Sequence, residues 1–187
     1  MGARRPAAGL PLTEQGISVA VPNTWVEVNP AKETMESAAK QLNLPGLSAS
    51  TLVQEAETIE KLHGIIAIDL ASAVKSPEHF TRNINAYCVT SGINDTGSAG
   101  VPFLQQAAKT EFSTIASDIT QRDVEVGGVP GVETSYQLST KSGMKIGAAQ
   151  LEVLPKPDKG CFVTLTYGSP QDEGNYLNVA AATARFP

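Results

Sequence analysis

The chain has 187 residues, of which 41% are hydrophobic and 18% are charged, a composition typical of one globular domain. It contains neither a repeated glycine pattern nor a heptad, and its hydrophobic content is too high for a fully disordered protein. With 14 Lys and Arg against 19 Asp and Glu, the net charge is −5. This balance disfavours nucleic-acid binding, because phosphate contacts need a basic surface.

The first 14 residues are rich in Pro, Ala, Gly and Arg and lack the apolar core of a signal peptide. We therefore expect a disordered tail at 1–14 and a single domain at 15–187. The longest apolar run, at 65–68, ends at Asp69 and is too short to span a bilayer. No transmembrane segment is expected, and an export signal or lipid anchor would lie outside this sequence.

Two cysteines, Cys88 and Cys161, are too few for a disulfide framework and lack the CxxC spacing of zinc or redox motifs. They can form one disulfide if the chain is exported, or remain two buried thiols if it is not. The sequence leaves both alternatives open.

The first half of the chain combines short strands with amphipathic helices. Apolar residues alternate with small ones at the start, which is the period of a half-buried strand, and recur at helical spacing further on. The predicted elements are strands at 16–22 and 25–28, helices at about 30–43 and 48–63, and strands at 65–73 and 80–89. A helix is the alternative for 80–89.

The second half changes from one helix to a run of strands. An apolar stripe from Leu104 to Ile119 predicts a helix of about 16 residues, starting near Pro102, after a loop at 92–100. The predicted strands are 124–126, 132–138, 144–153 and 161–167, separated by turns or loops at 127–131, 141–143 and 155–160. The strand at 144–153 is expected to carry a bulge near Gln150, and a short helix follows Ser169 and Pro170.

Consecutive strands joined by short turns favour an antiparallel meander, and the amphipathic helices can cover its faces. We expect an α+β fold, with an antiparallel sheet of about six or seven strands flanked by helices.

Candidate catalytic and metal-binding residues are few. His63 and His79 have no partner at a metal-ligand spacing, so a zinc site is disfavoured.

The glycines of Gly92 to Ser98 resemble a phosphate loop without its lysine, and a flexible connection is the favoured interpretation. A solvated helix face accounts for Glu55, Glu57 and Glu60, and edge or turn positions account for Asp118, Asp123 and Glu125. We assign no catalytic, cofactor-binding or metal-ligating residue, and we expect no cofactor.

Three aromatic residues carry structural expectations. Trp25 is expected to be buried against a helix. Phe162 and Tyr167 should point to opposite faces of the last strand, which would place at least one of them on a binding surface.

The order of elements resembles the PsbP/Mog-type α/β/α sandwich superfamily, which includes DcrB-like and actinobacterial lipoprotein-like members. The resemblance extends over about 15–187, with 44–62 as an insertion. It rests on the first strand ending in Pro22-x-x-Trp25, the turn-rich run at 124–132, Tyr136, the strand end at 165–167 with Ser169 and Pro170, and the closing segment at 184–186.

This resemblance implies a sheet of about six or seven antiparallel strands and a non-enzymatic role, without a catalytic motif to transfer. The leading hypothesis is therefore a binding or accessory protein, exported or anchored at the cell envelope, whose protein partner or small ligand is unknown. The alternatives are a cytoplasmic chaperone for a secreted client, which predicts an apolar sheet face and a dimer, and a small-ligand hydrolase.

Overall fold

Nine strands and two complete α-helices are assigned in the computed structural model, which describes residues 10–14, 16–28, 61–62, 64–69, 71–72, 81–139, 143, 145–168 and 175–187. The strands are β1 (Leu10–Glu14), β2 (Ile17–Val21), β3 (Val26–Val28), β4 (Ile65–Ile68), β5 (Asn83–Thr90), β6 (Ala116–Val126), β7 (Val129–Ser139), β8 (Lys145–Lys156) and β9 (Lys159–Tyr167). The helices are α1 (Val101–Phe112) and α2 (Tyr176–Thr183), with a 3₁₀ turn at Gly97–Ala99. The predicted helix at 30–43 lies outside the described residues, as does that at 48–63 apart from Lys61 and Leu62.

Seven strands form one antiparallel sheet in the order β3-β4-β5-β9-β8-β7-β6. The predicted α+β class and the antiparallel sheet of six or seven strands are confirmed. The meander runs from β6 to β9, so the chain leaves β5, crosses the sheet through α1 and returns strand by strand until β9 pairs with β5. The predicted alternative of a helix at 80–89 is wrong, because this segment is β5 with eight residues paired to β9.

Both faces of the central strands are buried, and a different helix covers each face. On one face α2 and β2 pack over a core that includes Ile84, Leu151, Val163 and Leu165. On the other face α1 buries three residues spaced one turn apart. These residues, Leu104, Ala108 and Phe112, contact the β7 and β8 side chains Val132, Tyr136, Ala148 and Leu154.

The hairpin of β1 and β2 lies on the α2 side of the sheet. Its first strand, β1, lies within the segment 1–14 that is predicted to be a tail. The backbone of β1 pairs along its whole length with β2. The closing segment also joins β2, because Ser18 and Arg185 exchange two backbone hydrogen bonds of 2.9 Å. Residues 10–14 and the C-terminal segment therefore extend the layer that covers this face.

Helix α1 ends at Phe112, earlier than the stripe from Leu104 to Ile119 predicts. Ser113 and Thr114 donate side-chain hydrogen bonds back to carbonyls of the last turn, and β6 begins at Ala116. Ile119 lies in β6, and Ile115 between the two elements is 59% exposed. The helical spacing of these two isoleucines is therefore coincidental, because the chain has left the helix and pairs with β7 from Ala116 onward.

The predicted bulge near Gln150 is wrong. Strand β8 pairs regularly with β7 from Lys145 to Val153, and its register with β9 shifts only between Val153 and Lys156. The apolar alternation changes at Gln150 because β8 is buried on both faces and carries polar side chains on one of them.

Two predicted turns are longer than the observed ones. The turn at 127–131 comprises only Gly127 and Gly128, both at positive φ, and the loop at 155–160 comprises only Pro157 and Asp158. In contrast, the strand predicted at 65–73 ends at Ile68, and Ser72 turns back to bond the carbonyl of Asp69.

Candidate functional site

A row of five polar side chains crosses the sheet on the face that carries α1. The row follows the strand register from β5 to β6, each residue lying opposite the next. We call Asn85, Thr164, Gln150, Thr134 and Gln121 the polar row. All but Gln121 are buried, with exposed fractions between 0% and 8%. Such a row is unusual in a sheet interior, because a buried polar group is costly unless it is hydrogen-bonded.

Hydrogen bonds that start at Thr164 and at Gln121 run along the polar row and converge on the carboxyl group of Glu152. From one side, the Thr164 hydroxyl donates to Gln150 Oε1 at 2.8 Å, and Gln150 Nε2 donates to Glu152 Oε1 at 3.3 Å. From the other side, Gln121 Nε2 donates to Thr134 Oγ1 at 3.3 Å, and the Thr134 side chain bonds Glu152. The row therefore orients one buried acid through amide and hydroxyl groups.

Glu152 is 2% exposed and forms no ion pair with a described cation. Burial raises the pKa of its carboxyl from 4.5 to about 7, with a further increase from the nearby Glu111 carboxylate on α1. The hydrogen bonds from Gln150 and Thr134 act in the opposite direction, because they favour the charged form. Glu152 can consequently gain or lose a proton near neutral pH, a property that is common in functional sites.

A pair of aromatic rings lies next to Glu152. Phe162 is directly opposite Glu152 in the register, and its ring stacks on Tyr87 with centroids 5.2 Å apart. Both rings are partly exposed, whereas Glu111 is exposed on α1. Burial, together with the charges of Glu111 and Glu152, raises the pKa of the Tyr87 phenol to about 12, so it stays a neutral hydrogen-bond donor.

Two more buried acceptors lie beside the polar row on β5 and just before it. Asn83 and Thr81 are each 5% exposed, and Asn83 Nδ2 donates to the Thr81 carbonyl at 3.4 Å. Among the described residues, Asn83 Oδ1 and Thr81 Oγ1 have no hydrogen-bond partner. Both atoms can therefore accept a hydrogen bond from a bound group.

These features give the site a defined chemistry. Amide and hydroxyl groups line the strands, one carboxyl group titrates near neutrality, and two stacked rings lie at the border. The arrangement suits hydrogen bonding to a polar ligand. Within the described part of the chain, no group of three or more His, Cys, Asp or Glu side chains is placed to hold a metal ion.

The sequence-derived candidates lie away from this site. His63, His79, Glu55, Glu57 and Glu60 are outside the described residues. The interpretation of Asp118, Asp123 and Glu125 as edge or turn charges is confirmed, since all three lie in β6 at one end of the sheet.

The loop that resembles a phosphate loop is attached to the β8–β9 hairpin. The Gly92 N–H donates to Asp158 Oδ1 at 2.7 Å, and the Asp158 N–H donates to the Ile93 carbonyl at 2.7 Å. Gly100 packs so closely on Leu154 that an added Cβ would lie 2.5 Å from its Cδ1. The carboxylate of Asp158 thus occupies the first glycine N–H that an anion would need.

Cys88 and Cys161 form a disulfide, which resolves the alternative that the sequence left open. They lie directly opposite each other on β5 and β9, with Cα atoms 4.1 Å apart. The disulfide therefore joins β5, which belongs to the N-terminal part of the sheet, to β9, the last strand of the meander.

Two aromatic expectations are confirmed, the burial of Trp25 and the opposite directions of Phe162 and Tyr167, whereas the placement of one of these rings on a binding surface stays a prediction. Trp25 is 4% exposed, and its ring lies 5.0 Å from that of Tyr176 in α2. Phe162 faces the polar row, whereas Tyr167 points to the other face and covers Gly147.

The polar row and Glu152 were not identified from the sequence. Gln150 and Glu152 interrupt an otherwise apolar run, and Asn83 and Asn85 do so in β5. Such residues at a spacing of two, within a strand that is apolar in both phases, are the signal that indicates a polar stripe on a buried face.

No described helix is both long and apolar enough to cross a membrane.

Comparison with known proteins identifies a likeness in fold. No family model matches the chain, and no curated protein matches it. A crystal structure from Bacteroides thetaiotaomicron VPI-5482 superposes with a TM-score of 0.50 and 10% identity over 91% of this chain, which spans 45% of that protein's length. The solution structure of cyanobacterial PsbP (CyanoP) from Synechocystis sp. PCC 6803 gives a TM-score of 0.45 and 11% identity, covering 100% of this chain and 97% of that one. At 10% identity, the likeness to the Bacteroides structure is one of fold alone.

Proposed function

We propose that this chain is an exported, non-enzymatic binding or accessory protein of the PsbP/Mog type, with its ligand contacts at the polar row. The observation that carries the proposal of export is the disulfide between Cys88 and Cys161 in the middle of the sheet. Disulfides persist in secreted, periplasmic and cell-surface proteins, whereas reducing systems keep cytosolic thiols free.

Binding is favoured over hydrolysis by the partners of Glu152. Acid–base hydrolysis needs a second group, a carboxylate, imidazole or activated nucleophile, aligned with the first. Among the described residues, the groups that bond Glu152 are the Gln150 amide and the Thr134 hydroxyl, and the charge of Glu111 on α1 lies nearby. This set recognises a hydrogen-bonding ligand and supplies no aligned pair for bond cleavage.

The same face disfavours a chaperone that shields apolar helices. Such a role requires a broad apolar surface, whereas the central strands carry buried hydroxyl, amide and carboxyl groups on this face. A polar ligand, either a small molecule or a polar segment of a protein, fits this surface better.

The test of export uses the full-length gene in the organism that encodes it. Cells are fractionated, free thiols are blocked at once with a maleimide, and the mass of the intact protein is measured before and after reduction. We expect the protein outside the cytoplasm with both cysteines protected until reduction. A cytoplasmic protein that reacts with two equivalents of maleimide would contradict the proposal.

The test of the ligand site uses thermal shifts in a panel of polar small molecules with the purified, oxidised protein. A compound that binds at the polar row should raise the Tm of the parent chain, and less so that of Gln150→Leu. The matched control is Gln106→Leu, which changes an exposed amide on α1. An equal loss of the shift in both variants would contradict binding at the row.

A further inference from the structure

Strand β6 lies at one end of the seven-stranded sheet and is 11 residues long. Among the described strands it pairs with β7 alone, so one side of its backbone lacks a strand partner. At the other end of the sheet, β3 has only three residues. A long, unpaired edge strand is uncommon, because its free N–H and C=O groups can pair with another chain.

The edge is exposed and regular over most of its length. Seven of its 11 residues are exposed. The only irregularity in its pairing lies between Ser117 and Thr120, where Asp118 has a φ of 54°. From 120 to 126, β6 pairs with β7 without interruption, which is long enough to receive another strand.

The side chains of this edge carry an excess of negative charge. Asp118, Asp123 and Glu125 are exposed, and the one cation, Arg122, is bound by Glu133 through two hydrogen bonds of 2.8 and 2.7 Å. Asp123 and Glu125 project from the same face, two residues apart. A strand placed opposite them would be attracted if it had cationic side chains at alternate positions.

We propose that the outer edge of β6 is a docking site for an extended, basic peptide segment of a partner protein, which adds a strand to the sheet. This names one contact surface of the binding function proposed above and rests on it. Main-chain hydrogen bonds would supply affinity, and Lys or Arg residues opposite Asp123 and Glu125 would supply selectivity. Ile115, exposed directly before β6, offers an apolar contact at one end of the segment.

A second copy of this chain fits the edge less well. In a twofold antiparallel pairing both copies present the same face, so residues that oppose each other must project from that face. Arg122 projects from the face opposite to Asp123 and Glu125. Self-pairing would therefore leave the carboxylates opposite one another or opposite Gln121, without a cation to neutralise them.

The experiment uses the oxidised, full-length chain and a synthetic peptide of about nine residues in which Lys and Thr alternate, long enough to pair along the edge. Binding is measured by calorimetry at low salt, and the site is located from backbone NMR shifts and amide exchange. We expect perturbation of 120–126 and slower exchange of the edge amides. A matched peptide with Glu in place of Lys should bind at least about tenfold more weakly.

Two comparisons separate strand addition from general attraction. The double variant Asp123→Lys/Glu125→Lys should lose about tenfold in affinity, whereas the charge-matched control Glu27→Lys/Asp95→Lys, at exposed sites away from β6, should not. N-methylation of alternate peptide residues removes the amide donors of one peptide edge and keeps the charge. Two such peptides are made, one N-methylated at the odd positions and the other at the even positions. One of the two should fail to bind.

The proposal is overturned if both N-methylated peptides bind like the parent, if the two double variants behave alike, or if the shifts lie outside β6. Sedimentation of the chain without peptide gives a further check, since a dimer that protects β6 amides would assign the edge to a second copy. None of these outcomes depends on the thiol state or cellular location, so they are distinguishable from failure of the proposed export.

Discussion

Replacing Glu152 by Gln should make the folded protein more stable above neutral pH. The folded chain holds the Glu152 proton with a pKa of about 7, whereas the ordinary value of 4.5 applies to the unfolded chain. Since each pKa unit corresponds to about 1.4 kcal/mol, keeping this carboxylate charged in the folded state costs about 3 kcal/mol.

The sign of the pH dependence follows from which state binds the proton more tightly. Between pH 4.5 and 7 the folded state retains a proton that the unfolded chain releases, so stability falls as the pH rises through this range. The loss is complete above about pH 7 and absent below about pH 4.5. A glutamine has the shape of the protonated acid and accepts the Gln150 hydrogen bond, but it does not titrate.

The assay is urea unfolding of the parent chain and Glu152→Gln at intervals from pH 4 to pH 8. The difference in free energy of unfolding should be near zero at the acid end and favour the variant by up to about 3 kcal/mol at pH 8. The control, Glu125→Gln, changes an exposed carboxylate on the same face. A Glu152→Gln difference that stays constant with pH would refute the assignment of Glu152 as a buried titrating group.

Three further predictions concern other parts of the same framework. Glu111→Gln removes a charge that raises the pKa of Glu152, so the pKa of Glu152 should fall and the loss of stability should end at a lower pH. A proton NMR titration of Glu152 in both chains measures this pKa. Replacing both Cys88 and Cys161 by Ala opens a loop of 73 residues and should lower the free energy of unfolding, measured in urea, by about 4 kcal/mol. An unchanged value would mean that the disulfide does not reduce the conformational entropy of the unfolded chain. Gly131→Ala should lower the Tm and reduce the free energy of unfolding by about 1–3 kcal/mol, because the added Cβ would lie 2.4 Å from the Glu152 carbonyl oxygen. A Tm equal to that of the parent, measured by calorimetry, would show that β7 and β8 move apart at little cost.

The fold could be predicted largely from residue periodicity. In β9, Cys161, Val163 and Leu165 alternate with residues of the other face. This pattern alone predicts the strand and which of its side chains point to the same face. The end of α1 could not be predicted in this way, because Ile115 and Ile119 continue its stripe by chance. Pairing of β6 with β7, a contact between separate segments, determines where the helix ends.

The candidate site could not be predicted, because it exists only when strands align. Asn85 and Thr164 are far apart in the chain, and nothing local shows that they are opposite each other with Gln150 next in the row. The pairing of Cys88 with Cys161 depends on the same register. A single sequence records which strands form but not their order across the sheet.

The junction of β5 with β9 also bears on how the molecule is made. A chain that emerges stepwise, from a ribosome or through a translocation pore, cannot close this junction until the segment 73 residues beyond Cys88 has appeared. Until then β5 has β4 as its one neighbour among the described strands, and its other flank waits for β9. If the chain is exported as proposed, this late pairing leaves β5 and β9 apart while the chain crosses the pore, and the disulfide forms only afterwards.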